Sequence, residues 1–327
     1  MLKILLRNNS LVILVALFVV SALLSNAFLS VGNIYNLLRQ LSPLFLASIG
    51  MLLVINTAGI DLSVGSIAAA GGLLVAILVS MMPPAGAMAG PIGLLGAIFL
   101  SIALGAVLGA VSGALVAFSE LAPFIVTLAM MTIARGMTFM MSNGQPTRLP
   151  YDLEASDLMD QFGSGGVPFL GLPWPVVLSI LVALAFYFIM GYTTFGRMVI
   201  ATGSNETAVR LAGISEKRYK FLVYVISGAL AGLAGVVSTA RTGVGTPITG
   251  VGLELDAIAA CVIGGALLSG GKGTIVNTVI GVLVLGLIGN VMNSLSVPVY
   301  PQQIIKGLII IFAVLLQRFS NRPGART

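Results

Sequence analysis

An all-α polytopic membrane protein of about ten transmembrane helices, with helices two to five and seven to ten as inverted repeats, is the fold class that three observations in this sequence predict. The first is composition: 58% of the 327 residues are hydrophobic, 8% are charged and the mean hydropathy is +1.10, whereas a water-soluble domain carries roughly 25% charged residues. The second is pattern, since the apolar residues form continuous runs of helix length rather than the alternation of a transmembrane barrel. The third is a repeated phrase. Gly59-Ile60-Asp61-Leu62, with Ser63 and Gly65, runs on to Gly71-Gly72, and Gly252-Leu253-Glu254-Leu255, with Asp256, runs on to Gly264-Gly265.

The runs fall in order at Leu11–Leu29, Pro43–Thr57, Ser63–Met82, Pro91–Phe118, Leu121–Met141, Pro173–Gly191, Tyr219–Ala240, Leu255–Leu268, Thr274–Met292 and Val299–Leu316. The first, preceded by Lys3 and Arg7 and followed by Ser25-Asn26-Ala27, has the flanks of a signal peptide, but the many spans behind it favour an uncleaved first helix. The second and eighth are short for a hydrocarbon layer of about 30 Å, and each adjoins a copy of the phrase. Short, Gly-interrupted segments at matching places in two halves point to broken helices beside a transport path.

Lys and Arg set the orientation. Lys3 and Arg7, the group Arg197, Arg210, Lys217, Arg218 and Lys220, and the tail residues Arg318, Arg322 and Arg326 fall on one side of a ten-span chain, which the positive-inside rule makes cytoplasmic. The loop 142–172, with Asp152, Glu154, Asp157 and Asp160 against Arg148, falls on the other side. Both termini are then cytoplasmic, the first phrase lies at the inner side and the second at the outer. The whole chain, 1–327, reads as one membrane domain: a first repeat at about 43–141, the outer loop, a cytoplasmic segment 192–218 and a second repeat at about 219–317.

Glycines four apart, Gly105, Gly109 and Gly113 in the fourth run and Gly228 and Gly232 in the seventh, predict close helix packing. In the cytoplasmic segment, Ser204 or Asn205 suits a helix cap, Glu206 the first turn and Gly213 the stop, which predicts a two-turn helix outside the bilayer. Its Ala208, Val209, Leu211 and Ala212 either dock into a partner's groove or belong to a solvated connector.

Chemistry-bearing residues are few. With no His and one Cys, Cys261 inside an apolar run, neither a metal site nor nucleophilic catalysis is expected. Gly270-Gly271-Lys272-Gly273-Thr274 departs from a phosphate-binding loop, which needs Ser or Thr directly after the Lys, and reads as a tight turn. Asp61, Ser63, Glu254 and Asp256 lie at helix starts, where capping competes with a gating or binding role. Arg135 and Lys306 lie within spans and are long enough to snorkel outward. Arg241 sits at an outer helix end, and Glu120 in a short inner turn. A neutral polar cargo would suit Asn56, Thr57, Asn290, Asn293 and Gln302, although Asn also bridges helices. Proton or sodium coupling usually needs buried carboxylates, and their scarcity counts against a stand-alone ion-coupled secondary transporter, the second reading.

The phrase Gly59–Gly65, the Gly203-x-Asn205-Glu206-x-Ala208 segment ending in Gly213-Ile214, and the stretch from Glu254 through Gly264-Gly265 to Gly270–Gly273 together resemble the permease subunit of bacterial ABC sugar importers of the ribose-type branch. The resemblance runs in order from about Phe28 to Leu316. It implies a vitamin B12 importer-like fold in the bacterial inner membrane and a dimer with a second copy or a sister permease. It also implies a periplasmic sugar-binding protein and an ATP-binding cassette subunit that holds the ATP and magnesium, with no cofactor on this chain and no nucleic-acid partner. Residues Asn205, Glu206, Ala208, Val209, Arg210, Leu211 and Gly213 would form the coupling helix. The chain departs from the widespread permease signature: Glu206-Thr207-Ala208 is followed by four residues before Gly213 and by no Leu-Pro, which fits the ribose-type branch better than the maltose-type.

Overall fold

The computed structural model describes residues 9–24, 28–84, 86, 88–168 and 171–320. Lys3, Arg7, the tripeptide Ser25–Ala27, Arg322 and Arg326, used above for processing and orientation, lie outside them. Among the described residues the chain forms thirteen helices and one two-stranded ribbon. The helices are α1 (Asn9–Leu24), α2 (Val31–Asn56), α3 (Val64–Ser80), α4 (Pro91–Ala117), α5 (Pro123–Ser142), α6 (Glu154–Ser164), α7 (Trp174–Tyr192), α8 (Thr194–Ser204), α9 (Glu206–Leu211), α10 (Glu216–Thr242), α11 (Leu253–Ile263), α12 (Ile275–Ser294) and α13 (Val299–Ser320). Strands β1 (Thr147–Arg148) and β2 (Val244–Gly245) pair antiparallel.

Among the described residues, six helices are long and apolar enough to cross a membrane: α2, α4, α5, α7, α10 and α12; α1 and α3 are shorter apolar helices. Their starts follow local chemistry. Ser30 caps α2 and Thr274 caps α12, each accepting from the amide three residues on at 3.3 Å. Proline opens α4 and α5, where its missing N–H is no loss. Asn143 and Gly243, both left-handed, end α5 and α10.

One expectation from the sequence is corrected. The Pro43–Thr57 run is not short, because the helix begins at Val31 and carries Asn33, Asn36, Arg39 and Gln40 on its first turns, with Pro43 inside it. Those polar residues break the apolar run without breaking the helix. Residues 192–218 hold α8 in addition to the expected short helix, α9, and the loop 142–172 contains α6.

Helix α10 is the hub and packs most extensively on α4, then on α3 and α2. Glycine makes these approaches possible. A Cβ on Gly105 or Gly109 would strike the carbonyls of Gly228 or Tyr224, one on Gly71 would lie 2.7 Å from the Gly232 carbonyl, and one on Gly50 would lie 2.9 Å from the Ser227 Cα. Helix backbones touch where lipid gives no hydrophobic push. The outward faces carry large apolar side chains such as Phe99, Ile125, Met140 and Leu184.

The molecule has two distinct ends. At one, the ribbon β1–β2, the Leu149 amide on the Gly243 carbonyl (2.9 Å) and the Ala155 amide on the Ala89 carbonyl (3.2 Å) gather the connections around α6. At the other, the Gly271 amide donates to the Asn56 carbonyl (3.0 Å) and Gly203 packs against both, so the ends of α2 and α8 meet the turn between α11 and α12.

Candidate functional site

The two copies of the phrase, expected at the inner and the outer side, instead meet. After β2 the chain turns back along α3: Gly245 lies against Gly72, Leu73 and Ala76, and Gly250 lies against Gly65 near the start of α3. A Cβ on Gly65 would collide with the Gly250 carbonyl and with Glu254 Oε2. Segment 246–252 is therefore irregular backbone laid along α3, with Pro247 buried and Ile248 and Val251 exposed. It is held by Arg135 of α5, whose Nη1 donates to the carbonyls of Pro247 and of Thr249 (2.9 Å). Such backbone is tolerated at membrane depth only where protein or a cavity satisfies it. The snorkelling expected of Arg135 gives way to that task.

Asp61 is fully buried in the turn before α3. Its carboxylate accepts from the Ser63 amide (3.0 Å), the Ser63 hydroxyl and the Ser227 hydroxyl of α10 (2.9 Å). Ser63, at the N-cap position, makes no capping bond with its own side chain: its backbone is already helical (φ −83°, ψ −10°) rather than extended, and its hydroxyl donates to Asp61. Asp256 does not cap α11 either, but pairs with Lys306 of α13 at 2.7 Å. Glu254 Oε2 is buried without a hydrogen-bond partner among the described residues.

Beside this junction lies a cavity of about 320 Å³ between α2, α3, α10, α11, α12 and α13. Its polar lining includes Gln40, Ser238, Arg241, Asp256, Asn290, Asn293, Gln302 and Lys306. Three cross-helix links form the wall: Asp256 with Lys306, Gln302 Nε2 donating to Asn293 Oδ1 (2.9 Å), and Asn290 with Asn33 through reciprocal amide bonds of 3.0 and 3.3 Å. Of the five residues expected on a polar path, Asn290, Asn293 and Gln302 line this cavity. Asn56 does not; its Nδ2 reaches the Gly273 carbonyl (3.4 Å) and steadies the glycine turn. Thr57 lines a second cavity of about 310 Å³ at the α9 end, with Glu120, Glu206, Arg210, Lys217, Lys220 and Tyr224.

Helix α9 has the start and stop expected. Asn205 Oδ1 accepts from the Ala208 amide (3.0 Å), and Gly213 at φ +76° closes a Schellman motif, its amide on the Arg210 carbonyl and that of Ile214 on the Val209 carbonyl. Val209 is buried while Leu211 is 82% exposed, so the two do not share one apolar surface. Glu206 pairs with Lys220 of α10 at 2.7 Å, and Lys217 pairs with Glu120 in the α4–α5 turn at 2.7 Å. The Lys217 hydrogen bond and charge hold the Glu120 carboxyl below its ordinary value, and Glu120 raises Lys217 in return.

The Asp256–Lys306 pair, the Asp61–Ser227 bond and the grip of Arg135 on the irregular segment went unread in the sequence. The available signal was charge inside an apolar run, which marks function by default but does not name the partner. The glycine turn at 270–273 is as expected: Gly270 and Gly271 both have positive φ.

An all-helical multi-pass body with irregular backbone and a polar cavity at its helix breaks has the architecture of a membrane permease. The chain belongs to the family described as branched-chain amino acid transport system / permease component, whose model matches residues 33–314. It is 42% identical over 312 residues to the ribose import permease of Escherichia coli (strain K12), covering 95% of this chain and 94% of that one. It is 41% identical over 303 residues to the ribose import permease of Bacillus subtilis (strain 168), covering 92% and 89%. To the D-allose transport system permease of Escherichia coli (strain K12) it is 38% identical over 312 residues, covering 95% and 90%. No solved structure gave a significant match. The chain is thus a transport subunit.

Proposed function

We propose that this chain is the membrane subunit of an ATP-driven importer for a monosaccharide, with a pentose such as ribose the leading cargo, in the bacterial inner membrane. The observation that carries the reading is the end-to-end likeness to ribose import permeases, 42% identity over 95% of this chain. In this reading α1, α2, α3, α4, α5, α7, α10, α11, α12 and α13 are ten membrane helices of a vitamin B12 importer-like fold. Helices α2–α5 and α10–α13 are its inverted repeats, and the termini and α9 are cytoplasmic.

A separate subunit supplies ATP and magnesium, a soluble binding protein delivers sugar at the α6 end, and a second permease completes a dimer. Closure of the ATPases pushes on the coupling helix, residues Asn205 to Gly213. The ion pairs Glu206–Lys220 and Lys217–Glu120 connect that helix to the foot of α10 and to the α4–α5 turn. Because α10 is the packing hub, its displacement reaches the junction of Gly59, Asp61, Ser63 and Gly65 with Glu254 and Asp256. The cargo passes the cavity lined by Asn290, Asn293 and Gln302. Asn56 and Thr57 belong to the α9 end of the path.

The test is purification of the tagged chain from its native host in mild detergent, with ATPase assayed with and without a sugar panel. A co-purifying ATP-binding subunit that is lost with Gly213→Asp or Glu206→Arg supports the reading. A chain that purifies alone, without ATPase, and moves solute down an ion gradient in vesicles overturns it.

A further inference from the structure

Arg241 is, among the described residues, a partly buried charge without a hydrogen-bond or ion-pair partner. It sits in the last turn of α10, lines the 320 Å³ cavity and is only partly exposed. Its Nε is buried with no hydrogen-bond partner, and none of the ion pairs among the described residues includes it. The charge of Arg39, of like sign, acts on it. The cavity's one carboxylate, Asp256, is already paired through Oδ2 with Lys306. A guanidinium is a planar fork of five donors that keeps its charge, so it must be satisfied by acceptors. Among the described residues none is provided, so the cavity wall carries an unsatisfied donor fork.

We infer that Arg241 is a specificity-determining residue of the cavity, donating to adjacent hydroxyl oxygens of a sugar in transit. The inference rests on the sugar-importer reading and deepens it. Vicinal hydroxyls present two acceptor oxygens side by side, which a guanidinium fork spans. Asp256 Oδ1, which makes no hydrogen bond among the described residues, accepts a hydroxyl hydrogen in the same cavity, and the side-chain amide of Gln40 both donates and accepts. This mixture of donors and acceptors matches a polyol, whose hydroxyls both donate and accept. Binding here is weak by construction: the three wall links consume most of the amide groups, leaving few contacts to hold cargo that must also leave.

The experiment uses the complete assembly of permease, ATPase and binding protein in proteoliposomes. Uptake of ribose and of single-deoxy riboses is measured at saturating loaded binding protein for wild type, Arg241→Gln and Arg241→Lys. With Arg241→Gln, maximal ribose uptake falls about tenfold, the scale of one lost charged hydrogen bond. The deoxy sugar that lacks the contacted hydroxyl falls by less than about twofold, so discrimination between the two collapses. Arg241→Lys, which keeps the charge and loses the fork, gives an intermediate value. The thermal midpoint of each variant in detergent and the binding-protein concentration at half-maximal uptake stay at wild-type levels.

An equal fall for every sugar, or a lowered midpoint, assigns Arg241 to structure and overturns the inference. A raised half-saturating concentration of binding protein makes it a docking residue, and competition by inorganic phosphate or sulfate that vanishes with Arg241→Gln makes the site one for anions; either result overturns it as well. Wild-type uptake matched by Arg241→Gln overturns this assignment alone, whereas a wild-type assembly that takes up no sugar overturns the importer reading with it.

Discussion

Asp61 shows what a single buried carboxylate does in this molecule. It gathers the Ser63 amide, the Ser63 hydroxyl and the Ser227 hydroxyl, tying the turn before α3 to the hub helix. Asp61→Ala leaves three buried donors without their acceptor and is expected to destabilise the detergent-solubilised protein by about 1–3 kcal/mol, while Ser227→Ala removes one bond and costs about 1 kcal/mol. Thermal melting followed by size-exclusion chromatography ranks the two, and the reverse order would refute the network. The repeated phrase made Asp61 legible in the sequence. Ser227 was not, because 166 residues separate it from Asp61 and an isolated Ser in an apolar helix carries no signal. Asp256 and Lys306, 50 residues apart, were each noticed but not paired, for the same reason. The exposed Glu120–Lys217 pair gives a pH statement. Glu120 is depressed from its ordinary 4.5, so its contribution is present above 4.5 and is lost as pH falls through the lowered value. Lys217 is raised from 10.5, so its contribution is present below 10.5 and is lost as pH rises through the higher value. The effect of Lys217→Glu on coupled ATPase is therefore expected to be constant between about pH 6 and pH 8 and to shrink with added salt. A pH titration of the variant against wild type checks both.

At the scale of elements, the glycine register of α4 makes a paired prediction. Gly105→Leu drives a side chain into the backbone of α10 and is expected to lower stability by more than the about 1–3 kcal/mol of ordinary overpacking. Gly96→Leu, on the open face of the same helix, is expected to be tolerated, since leucine also favours helix by about 1 kcal/mol over glycine. Monodisperse yield of the two variants decides the point. Helix α9 is similarly exposed to test. Gly213→Val forces a β-branched residue into a left-handed conformation, at a cost of about 1–2 kcal/mol, and is expected to loosen α9 and weaken ATPase coupling without unfolding the bundle. Both ends of α9 were legible because capping chemistry is local. The true start of α2 was not: a hydropathy reading stops at Arg39 and Gln40, whereas the helix absorbs them where they face the Arg241 region and the cavity. The inserted helix α6 was missed because its polar sequence shows no apolar run, only Leu158, Met159 and Phe162 facing inward.

For the whole molecule, composition and run length were enough to read a helical membrane protein, and the duplicated phrase singled out the two segments that meet, although the sequence placed them on opposite sides. What the sequence could not supply was the way that junction is built. Segment 246–252 returns along α3, Arg135 secures its carbonyls, and the cavity opens beside it. These are long-range arrangements that no periodicity encodes. They place the polar cavity against the start of α11, which packs on α12 and α2, and α2 in turn packs on the hub helix α10 whose foot is ion-paired to α9. A push at α9 and a change at the cavity are then two readouts of one body. The most direct measurement is uptake of labelled ribose into proteoliposomes holding this chain with its ATP-binding subunit and loaded binding protein, with ATP supplied to the compartment that contains that subunit. The account predicts uptake that requires ATP hydrolysis, is unaffected by collapsing proton and sodium gradients, and is abolished together with coupled ATPase by Glu206→Arg. Uptake that persists without ATP and follows an ion gradient would contradict it.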